Sequence, residues 1–396
     1  MCTIQQINFK NKKVLIRVDF NVPLDQSFKV TDDTRIRAAS PTILKVLKDG
    51  GSCILMSHLG RPKNKEIEFS LKHIVYKLNQ IIGIDVKFSA TCIGESAKNM
   101  SMNLLPGEVL LLENLRYHKQ EEQGDEGFAK ALASLGDFYI NDAFGAAHRA
   151  HASTTVVAKF FLNAKCFGFL LAKEIESLEK VMNKGKKPVL AILGGAKVSS
   201  KISIIENILD KIDHLIIGGG MSFTFVKAKG GFVGDSICES DKMQLALNIL
   251  KTAEKKKVKV YLPVDVLAAD VFDNSSNTQV VDIFNIPKGW QGLDCGPKSK
   301  AIFHDVVLQS KTILWNGPMG VFEFEKFSSG TVALGESIIE ATQNGAFSLI
   351  GGGDSVAAVK KFKFDRKVSY VSTGGGAMLE SLEGKTLPAI AAILNN

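Results

Sequence analysis

The sequence predicts an α/β protein with two doubly wound parallel-sheet domains, and three observations support this fold class. The chain has 396 residues, which is too long for one ordinary hydrophobic core, so two domains are expected. Short β-branched runs alternate with longer helical patterns along its length, which is typical of βαβ units stacked on a parallel sheet. Polar or glycine-rich residues follow most of these runs, at the strand ends where ligands of such sheets bind.

The predicted strands fall into two groups, one in each half of the chain. The first group lies at 12–20, 52–58, 86–88, 108–114 and 137–142. The second group lies at 187–195, 214–220, 259–265, 312–318, 347–353 and 368–376. Each group suffices for one Rossmann-like sheet, and the two halves share an architecture without an obvious sequence repeat.

A helix is predicted between the two groups of strands. Apolar residues recur there at helical spacing, followed by a glycine and a proline: Leu171, Ile175, Leu178, Val181, Gly185 and Pro188. We therefore predict an N-terminal domain at 1–168, a joining helix at 169–184 and a C-terminal domain at 185–378.

The composition indicates a globular cytoplasmic protein. Hydrophobic residues make up 45% of the chain and charged residues 23%, which suits a soluble domain. No apolar run approaches the roughly 20 residues that cross a bilayer, and the opening MCTIQQINFKNKKVLI lacks the apolar segment of a signal peptide. The sequence therefore predicts cytoplasmic localisation and no membrane partner.

The cysteines form no metal or disulfide pattern. They are scattered without a C-x-x-C pair, at Cys2, Cys53, Cys92, Cys166, Cys238 and Cys295. This spacing argues against a zinc site and suits a reducing compartment. Most of these residues are expected to be small core hydrophobes.

The formal net charge of +8 raises a non-enzymatic alternative, a nucleic-acid-binding protein. Such proteins cluster Lys and Arg, whereas the longest basic run here is Lys255 to Lys257, near the end of a predicted surface helix. A basic balance also suits small anionic substrates, and the sequence favours that interpretation.

The first group of strands ends in polar and basic residues. Those residues, with one further arginine in TDDTRIR, are Asp19, Asn21, Arg35, His58, Arg61, Arg116 and Arg149. The guanidinium fork matches carboxylate and phosphate oxygens, and several such groups at one sheet edge are an improbable accident. The first domain is therefore predicted to bind a small, multiply charged anion.

The second group of strands ends in glycines. They occur as GGAK at 194–197 and as GGG at 218–220, 351–353 and 374–376, with Asp354 following the third cluster. Glycine lets backbone N–H groups approach phosphate closely, and a helix that begins there directs its positive end to the same place. The second domain is therefore predicted to bind nucleotide phosphates.

The common nucleotide-binding motifs do not fit these glycines. The dinucleotide fingerprint G-x-G-x-x-G/A fails because its last position is Phe223, Val356 or Leu379, depending on the starting cluster. The P-loop pattern would need glycine at Leu379, and HRAH without a D-F-G is not a protein-kinase signature. An NAD-dependent dehydrogenase is the enzyme alternative, and the failed fingerprint disfavours it, so no NAD is expected.

Eight motifs occur in one order over nearly the whole chain: RVDFNVP, SHLGRP, ENLRYH, GGAKVSSKI, LPVD, WNGPMGVFE, GGGDS and STGGGA. In these motifs the sequence resembles the phosphoglycerate kinase family. The resemblance implies a monomeric two-domain glycolytic enzyme with its active site in the cleft between the domains. It implies reversible transfer of the acyl phosphate of 1,3-bisphosphoglycerate to ADP with Mg²⁺, which gives 3-phosphoglycerate and ATP.

The resemblance also implies the site residues. Its phosphoglycerate site would consist of Asp19, Asn21, Arg35, His58, Arg61, Arg116 and Arg149. Its nucleotide site would consist of Lys197, Lys201, Gly219, Asn316, Glu323, Gly351, Gly352, Gly353, Asp354 and Ser355. The groups that act on the transferred phosphoryl group would be Arg35, Lys197, Lys201, Gly352 and Gly375.

Two lysines and one carboxylate have chemistry that suits these roles. SSKISIIENILDKI has apolar residues on one helical face, so Lys201 is predicted in the first turn of a helix and Lys197 just before it. Both lysines are expected to reach transferring oxygens. Asp354 is expected to hold Mg²⁺, which prefers a carboxylate plus substrate phosphates. Glu323 is expected to meet ribose hydroxyls.

Two positions depart from the family's frequent residues, and the end of the chain carries a further expectation. Ser355 stands where the family often has threonine, and Phe324 where tryptophan is frequent in some members. Neither change affects the implied activity. The family's C-terminal segment returns to the first domain, so residues 379–396 are expected to pack there.

His148 and His151 flank Arg149 in NDAFGAAHRAHAS, at 141–153, and H-x-x-H spacing can bind a metal. The neighbouring glycine and alanines predict a turn, no third ligand stands nearby, and the family has similar histidines without a metal. No zinc is therefore expected, and the histidines are predicted to hydrogen-bond and shape the basic edge that Arg149 completes.

Overall fold

The computed structural model describes residues 3–395, so Met1, Cys2 and Asn396 lie outside the described residues. Over this range the strands are β1 Lys13–Val18, β2 Ser52–Met56, β3 Val86–Ser89, β4 Val109–Leu112, β5 Phe138–Asp142, β6 Lys165–Phe167, β7 Val189–Leu193, β8 His214–Ile217, β9 Phe232–Val233, β10 Lys259–Tyr261, β11 Asp265–Ala269, β12 Thr278–Asp282, β13 Asn285–Ile286, β14 Gln291–Cys295, β15 Thr312–Asn316, β16 Phe347–Ile350 and β17 Tyr370–Val371.

The α-helices of the same range are α1 Thr34–Lys48, α2 Lys72–Ile82, α3 Glu95–Met102, α4 Lys119–Gln123, α5 Glu126–Ala133, α6 Phe169–Met182, α7 Ile202–Ile208, α8 Met221–Ala228, α9 Met243–Lys255, α10 Pro297–Gln309, α11 Ser329–Gln343, α12 Gly353–Lys361, α13 Gly376–Leu382 and α14 Pro388–Leu394. Short 3₁₀ helices lie at Ile4–Gln6, Ile67–Phe69, Leu115–Tyr117, Phe144–Ala146, Val156–Phe160, Ser240–Lys242 and Glu325–Phe327.

The described chain divides into two compact units. The first unit runs up to Ile175 and includes the residues from Thr386 onward, and the second unit is Glu176–Lys385. The domain ranges expected from the sequence stay a prediction: 1–168 with 379–396, 169–184 and 185–378.

The sheet of the first unit has strand order β3-β4-β2-β1-β5-β6, and all of its pairs are parallel. Strand β1 lies between β2 and β5, where both faces of the sheet are covered, so its sequence is a nearly continuous apolar run. One face packs Val14 and Ile16 against Ile36 and Ile43 of α1. This packing fixes the carboxyl ends of β1, β2, β4 and β5 along one edge.

The main sheet of the second unit has strand order β10-β8-β7-β15-β16-β17, again with parallel pairs. Its core contains Ile192, Ile216 and Trp315 from the central strands and Ile338 from α11. The predicted α/β class with two parallel sheets is confirmed.

The second unit also contains a small antiparallel sheet, β12-β11-β14, and a two-stranded sheet, β13-β9, which the sequence analysis did not predict. The strand predicted at 259–265 is wrong, because β10 ends at Tyr261 and Asp265 begins β11 in the other sheet. Pro263 stands between these strands and cannot donate to a ladder, which is consistent with the break. The predicted run joined residues that belong to two sheets.

The helix after β7 is shorter than its apolar pattern predicted. Helix α7 ends at Ile208, with Leu209 as its C-cap, so Ile212 lies beyond it. Lys201 is the N-cap residue and therefore lies immediately before the helix, whereas the prediction placed it in the first turn. The shift is one position, and Lys201 still begins the segment that faces the strand ends.

The last helix, α14, packs within the first unit. Ala389 N donates to Ala147 O over 3.1 Å. Lys165 Nζ, from β6, donates to Ala392 O at 3.0 Å and to Asn395 O at 2.8 Å. The lysine therefore binds carbonyl groups at the C-terminal end of the helix, where cations are favourable.

Most of the described cysteines are core residues, as predicted. Cys53, Cys92, Cys166 and Cys295 are buried, Cys238 is half-buried, and Cys2 lies outside the described residues. Within residues 3–395, no helix combines the length and the apolar character that crossing a membrane requires.

The passage from β5 into α6 depends on a close approach between Asp142 and Gly168. Asp142 is fully buried at the end of β5, and its Oδ1 accepts a hydrogen bond from Leu171 N at 3.0 Å. A Cβ on Gly168 would lie 2.2 Å from Asp142 Cγ and 2.3 Å from Oδ1. Only glycine therefore fits where the carboxyl group reaches the first turn of the helix.

We expect Gly168→Ala to destabilise the protein by about 1–3 kcal/mol, because the added methyl must displace the buried Asp142 carboxyl group. Urea unfolding followed by circular dichroism measures this loss. Gly127→Ala is the matched control in the same unit, because Gly127 is an exposed position of α5 and the atom nearest to its Cβ would be Asp125 Oδ1, 3.3 Å away. Equal stability of the two variants would contradict the prediction.

Candidate active site

The polar residues predicted at the strand ends of the first unit lie along one edge of its sheet. We call this set the basic edge: Asp19, Asn21, Arg35, His58, Arg61, Arg116 and Arg149. They follow β1, β2, β4 and β5, which are neighbours in the order β4-β2-β1-β5, except for Arg35 in the first turn of α1. The carboxyl ends of parallel strands meet at one edge, so residues distant in the sequence are brought together here.

Arg35 is oriented by the residues that follow β1. Its Nη1 donates to Asp19 Oδ1 at 3.1 Å and to Asn21 O at 3.0 Å. Asn21 Oδ1 in turn accepts from Gly60 N at 2.8 Å, which connects this segment to the loop after β2. About a third of the Arg35 side chain stays exposed, so the guanidinium group is oriented and accessible.

Arg116 is held by the loop after β2. Its Nη1 donates to Gly60 O at 2.7 Å, and its Nε lies 3.2 Å from Glu122 Oε1. Asn114, which is fully buried, supports this arrangement from the end of β4. Its Nδ2 donates to Leu59 O at 2.7 Å and to Phe69 O at 2.9 Å, and its Oδ1 accepts from Arg116 N at 3.0 Å.

The segment after β5 forms the turn that its glycine and alanines predicted, with a 3₁₀ helix at Phe144–Ala146. Arg149 is half-buried, and its Nε donates to His148 Nε2 over 3.3 Å. Thr154 Oγ1 donates to Arg149 O at 2.8 Å. Arg61, by contrast, is exposed at the edge.

Arg17 is a cation of this region that the sequence analysis missed. It lies inside β1 and is 1% exposed. Its Nε donates to Ser153 Oγ at 2.8 Å, its Nη1 donates to Val18 O, and its Nη2 lies 3.2 Å from His58 Nδ1. A charged residue within the apolar run KVLIRV was the available signal, since a buried arginine requires partners.

Glu121, from α4, is a buried carboxylate linked to this arginine through Ser153 Oγ, and the sequence analysis also missed it. It is 1% exposed, and both of its carboxylate oxygens accept hydrogen bonds from Ser153, at 2.6 Å from Oγ and 3.0 Å from N. Burial raises the pKa of the Glu121 carboxyl group, while Arg17 and the Ser153 hydrogen bonds oppose that shift.

His58, in the basic edge, and His151, two residues after Arg149, are uncharged at neutral pH. Burial, with Arg17 and the other arginines nearby, lowers the pKa of His58 well below its usual value. The same causes, again led by burial, lower the pKa of His151 to about 4. Neutral imidazoles add no charge to a region that already concentrates several guanidinium groups.

In the second unit, the predicted glycine clusters follow β7, β8 and β16, and Asn316 ends β15. These strands are neighbours in the order β8-β7-β15-β16. Gly219 has φ +63° and Gly352 has φ +89°, both in the left-handed region. A Cβ would also lie 2.7 Å from Gly195 N at the first position and 2.8 Å from Asn316 Nδ2 at the second, so glycine is required at both.

A polar cavity of about 330 Å³, which we call the phosphate cavity, opens between these loops. The predicted residues that line it are Lys197, Lys201, Asn316, Gly352, Gly353, Asp354 and Ser355. Lys201 Nζ donates to Asn316 Oδ1, and burial lowers the pKa of Lys201 while Asp354 raises it. The cavity therefore combines backbone from the start of α12 with two lysines, which suits anionic oxygens.

A larger cavity of about 430 Å³, which we call the apolar cavity, shares Gly195, Ala196 and Asp354 with the phosphate cavity. Phe223 and Pro318 contribute to its mostly apolar lining. Gly219 and Glu323 line it as well, and Glu323 is exposed. An apolar space with few polar groups, joined to a polar one, fits a base and ribose continuing into phosphates.

Two predicted residues, Gly351 and Gly375, line neither cavity, and Ser355 has a structural contact in addition to its place in the phosphate cavity. Gly351 is buried and lines neither cavity, and a Cβ there would lie 1.7 Å from Met378 Sδ. Gly375 is the N-cap of α13, with φ +49°, and also lines neither cavity. Ser355 is fully buried, and its hydroxyl accepts from Gly317 N, which holds the loop after β15.

Glu239 supports the segment before α7 and was not predicted. Its carboxylate accepts from Ser199 Oγ at 2.6 Å and from Ser199 N at 3.0 Å. These bonds hold the residues between Lys197 and Lys201. The sequence carried no signal for this contact, because Glu239 and Ser199 are forty positions apart.

Asp354 is the carboxylate best placed to bind a divalent cation together with phosphates. It lies in the first turn of α12 and lines both cavities. Within residues 3–395, no group of three or more His, Cys, Asp and Glu side chains could hold a metal. A single carboxylate fits Mg²⁺, which takes one or two protein carboxylates and completes its shell with phosphates and water.

Comparisons with known proteins identify the family of this chain. The family model described as phosphoglycerate kinase matches residues 4–385. The phosphoglycerate kinase of Porphyromonas gingivalis is 54% identical over 99% of this chain and 99% of its own length. The cytosolic phosphoglycerate kinase of Triticum aestivum is 52% identical over 99% of this chain and 97% of its own length.

Solved structures give the same result. The phosphoglycerate kinase from Coxiella burnetii matches with a TM-score of 0.91 and 40% identity, over 99% of this chain and 98% of that one. The enzyme from Pyrococcus horikoshii matches with a TM-score of 0.83 and 30% identity, over 100% and 98% of the two chains. The resemblance in the motifs is thereby confirmed, and the chain belongs to the phosphoglycerate kinase family.

Proposed function

We propose that this chain transfers a phosphoryl group reversibly from 1,3-bisphosphoglycerate to ADP, giving 3-phosphoglycerate and ATP. The observation that carries the proposal is the pairing of two anion-binding sites of different chemistry in one member of this family. The basic edge offers guanidinium groups, and the phosphate cavity offers backbone N–H groups, two lysines and a carboxylate. The first suits a small acid phosphate and the second a nucleotide.

The proposed phosphoglycerate ligands are the seven residues of the basic edge. The Arg35 side chain is about a third exposed and Arg149 is half-buried, and the bidentate guanidinium fork suits carboxylate and phosphate oxygens. Asp19 and the backbone carbonyl of Asn21 orient Arg35, and we assign the side chains of both residues to substrate hydroxyls. His58, neutral because of its burial, offers a hydrogen bond without adding charge.

The proposed nucleotide ligands lie around the two cavities of the second unit. The base and ribose occupy the apolar cavity, with Glu323 on the ribose and Gly219 beneath. The phosphates occupy the phosphate cavity, where Lys197, Lys201 and Asn316 contact their oxygens. The backbone of Gly351, Gly352 and Gly353 and the Ser355 position complete this end of the site, with Gly375 beside the transferred group.

The chemistry of the proposed reaction requires little covalent help from the protein. The accepting oxygen belongs to a carboxylate or to a nucleotide phosphate and is already ionised, so no general base is needed. Catalysis then consists of positioning and of stabilising the charge on the transferred group. Arg35, Lys197, Lys201 and the backbone of Gly352 and Gly375 are the groups we assign to that task.

Mg²⁺ is proposed to bind with the nucleotide, held by Asp354 and by phosphate oxygens. When bound, it neutralises charge on the phosphates and polarises the transferred group. Lys201, which lines the same cavity and donates to Asn316 Oδ1, supplies a further positive charge. No zinc or NAD is included in this proposal.

The oligomeric state, the localisation and the partners of the protein are also proposals. We propose a monomeric cytoplasmic enzyme whose partners are small molecules rather than nucleic acid or membranes. The name of the Triticum aestivum relative includes the word cytosolic, which supports this setting. Size-exclusion chromatography with light scattering tests whether the protein is a monomer. A nucleic-acid-binding assay at about 150 mM salt, in which no binding is expected, tests the alternative of a nucleic-acid-binding protein.

The direct test of the function is a coupled assay of ATP formation from 1,3-bisphosphoglycerate and ADP, with Mg²⁺ present or omitted. Turnover that needs both substrates and Mg²⁺ is expected. No turnover by the folded protein would contradict the proposal. NADH-linked turnover without ADP would favour the dehydrogenase alternative.

Arg149→Ala is expected to lower kcat/KM for 3-phosphoglycerate by roughly one to two powers of ten while leaving the KM for ATP nearly unchanged. A charge-assisted hydrogen bond contributes about 1.5–3 kcal/mol, and Arg149 belongs to the phosphoglycerate side. Steady-state kinetics with each substrate varied separately measure both effects. Arg149→Lys should recover only part of the loss, because the fork is missing.

Arg37→Ala is the matched control for that variant. Arg37 lies on α1 in the same unit, is exposed, and pairs with Asp33 at 2.9 Å. Its loss should leave both kinetic constants unchanged. Normal phosphoglycerate kinetics in Arg149→Ala would exclude Arg149 as a ligand.

Lys201→Met is expected to lower kcat far more than it raises either KM, because its charge is assigned to the phosphoryl group in transfer. The measurement is kcat and both KM values at saturating partner substrate. Lys251→Met, an exposed lysine on α9, is the control and should behave like the wild type. Normal kcat with weakened nucleotide binding would show that Lys201 serves only the bound ground state.

Chelation of divalent cations is expected to abolish turnover, and Mg²⁺ alone should restore it completely without added zinc. Asp354→Asn should raise the Mg²⁺ concentration needed for half-maximal rate by about tenfold, since one anionic ligand is lost. Rate measured against Mg²⁺ concentration at fixed ADP gives this value. An unchanged Mg²⁺ requirement would remove Asp354 from the metal site.

A further inference from the structure

Glu121 is a buried carboxylate beneath a site proposed to bind an anion. It lies in α4, is 1% exposed, and faces Arg17 and Arg116, both of which attract its charge. A negative charge at this place repels an anionic ligand, so its presence has to be explained by some other contribution. The contacts of the carboxylate indicate what that contribution is.

Every polar atom of Ser153 is engaged, and Glu121 binds two of them. Its Oε1 accepts from Ser153 Oγ at 2.6 Å and its Oε2 accepts from Ser153 N at 3.0 Å. The same Ser153 Oγ accepts from Arg17 Nε at 2.8 Å, and Ser153 O accepts from Tyr139 Oη at 2.8 Å. The serine hydroxyl therefore links the carboxylate directly to the guanidinium group of Arg17.

Glu121 also holds the segment that carries Arg149. Ala152 N donates to the backbone O of Glu121 at 2.9 Å, and His151 Nδ1 lies 3.8 Å from Glu121 Oε1. Next along the chain, Thr154 Oγ1 donates to Arg149 O at 2.8 Å. Residues 151 to 153 are thus attached to α4, and the next residue, Thr154, is hydrogen-bonded to Arg149.

We infer that Glu121 is a positioning residue for the phosphoglycerate site, acting through Ser153 on Arg17 and through the segment at 151–154 on Arg149. This inference rests on the proposed function, because it concerns how the basic edge receives its substrate. Arg17 in turn lies 3.2 Å from His58, so one buried carboxylate fixes groups on both sides of the edge. The inference gives Glu121 no contact with the substrate.

The direction in which Glu121→Gln changes phosphoglycerate binding distinguishes a positioning role from a purely electrostatic one. Glu121→Gln removes one negative charge next to an anion site, so Coulomb attraction alone predicts tighter binding of phosphoglycerate. A glutamine has only one side-chain oxygen, however, and the two Ser153 donors occupy both oxygens of the glutamate. Positioning therefore predicts weaker binding, which is the opposite sign.

The experiment compares Glu121→Gln with Glu126→Gln, which removes the same charge from an exposed position on α5. For Glu121→Gln we expect the KM for 3-phosphoglycerate to rise about tenfold and the KM for ATP to change by less than about twofold. Calorimetric titration with 3-phosphoglycerate alone should show the same tenfold loss. Glu126→Gln should match the wild type in every measurement.

Ser153→Ala tests the same link without changing charge. It should also raise the KM for 3-phosphoglycerate, and the double variant should be no worse than Glu121→Gln alone, since both changes break one connection. If Glu121→Gln does not fold, as circular dichroism would show, Ser153→Ala decides the question by itself. Additive losses in the double variant would contradict action through the serine.

Tighter or unchanged phosphoglycerate binding in a folded Glu121→Gln would overturn the inference, as would equal increases in both KM values. Failure of the proposed function is recognised separately, because the wild type and Glu126→Gln would then show no turnover in the same assay. An active wild type together with an unchanged KM for 3-phosphoglycerate in Glu121→Gln would contradict only the positioning role.

Discussion

The basic edge depends on a guanidinium group buried inside the central strand of the first sheet. Arg17 is enclosed between neighbouring strands, where an uncompensated charge would cost several kcal/mol. Ser153, Val18 O and His58 satisfy its nitrogen atoms, and Glu121 supplies the opposite charge. The strand, the helix α4 and the segment after β5 must therefore form together, which gives the edge one defined geometry.

In the second unit, the candidate anion site is built from backbone N–H groups more than from charged side chains. Its loops leave β7, β8, β15 and β16 through glycines, so N–H groups can approach a ligand where side chains would collide. Lys201 is the half-buried cation that lines the phosphate cavity, and burial lowers its pKa while Asp354 opposes that change. This difference between the two units suits the proposed ligands. Several guanidinium groups can bind the carboxylate and phosphate of a small acid, and backbone N–H groups can bind a chain of nucleotide phosphates.

The sequence predicted the features that depend on local pattern. Strand and helix periodicity indicated both parallel sheets, and the residues after the strands indicated both candidate sites, because parallel strands bring those ends together whatever the details of packing. The small sheet around β11 was missed in part because the run predicted at 259–265 joined β10 to the first residue of β11 across Pro263. The supporting carboxylates Glu121 and Glu239 were missed because their partners are distant in the sequence and only the folded chain brings them together.

The protonation state of the two histidines beside Arg149 matters because they lie within a cluster of cations. Charged imidazoles would add repulsion to Arg17, Arg116 and Arg149, whereas burial among these arginines lowers the pKa of His151 to about 4 and keeps it neutral. His148 accepts a hydrogen bond from Arg149 Nε, which only an unprotonated ring nitrogen can do. Burial and the neighbouring arginines thus keep His151 neutral, and a bound anion would offset part of the positive charge that disfavours its protonation.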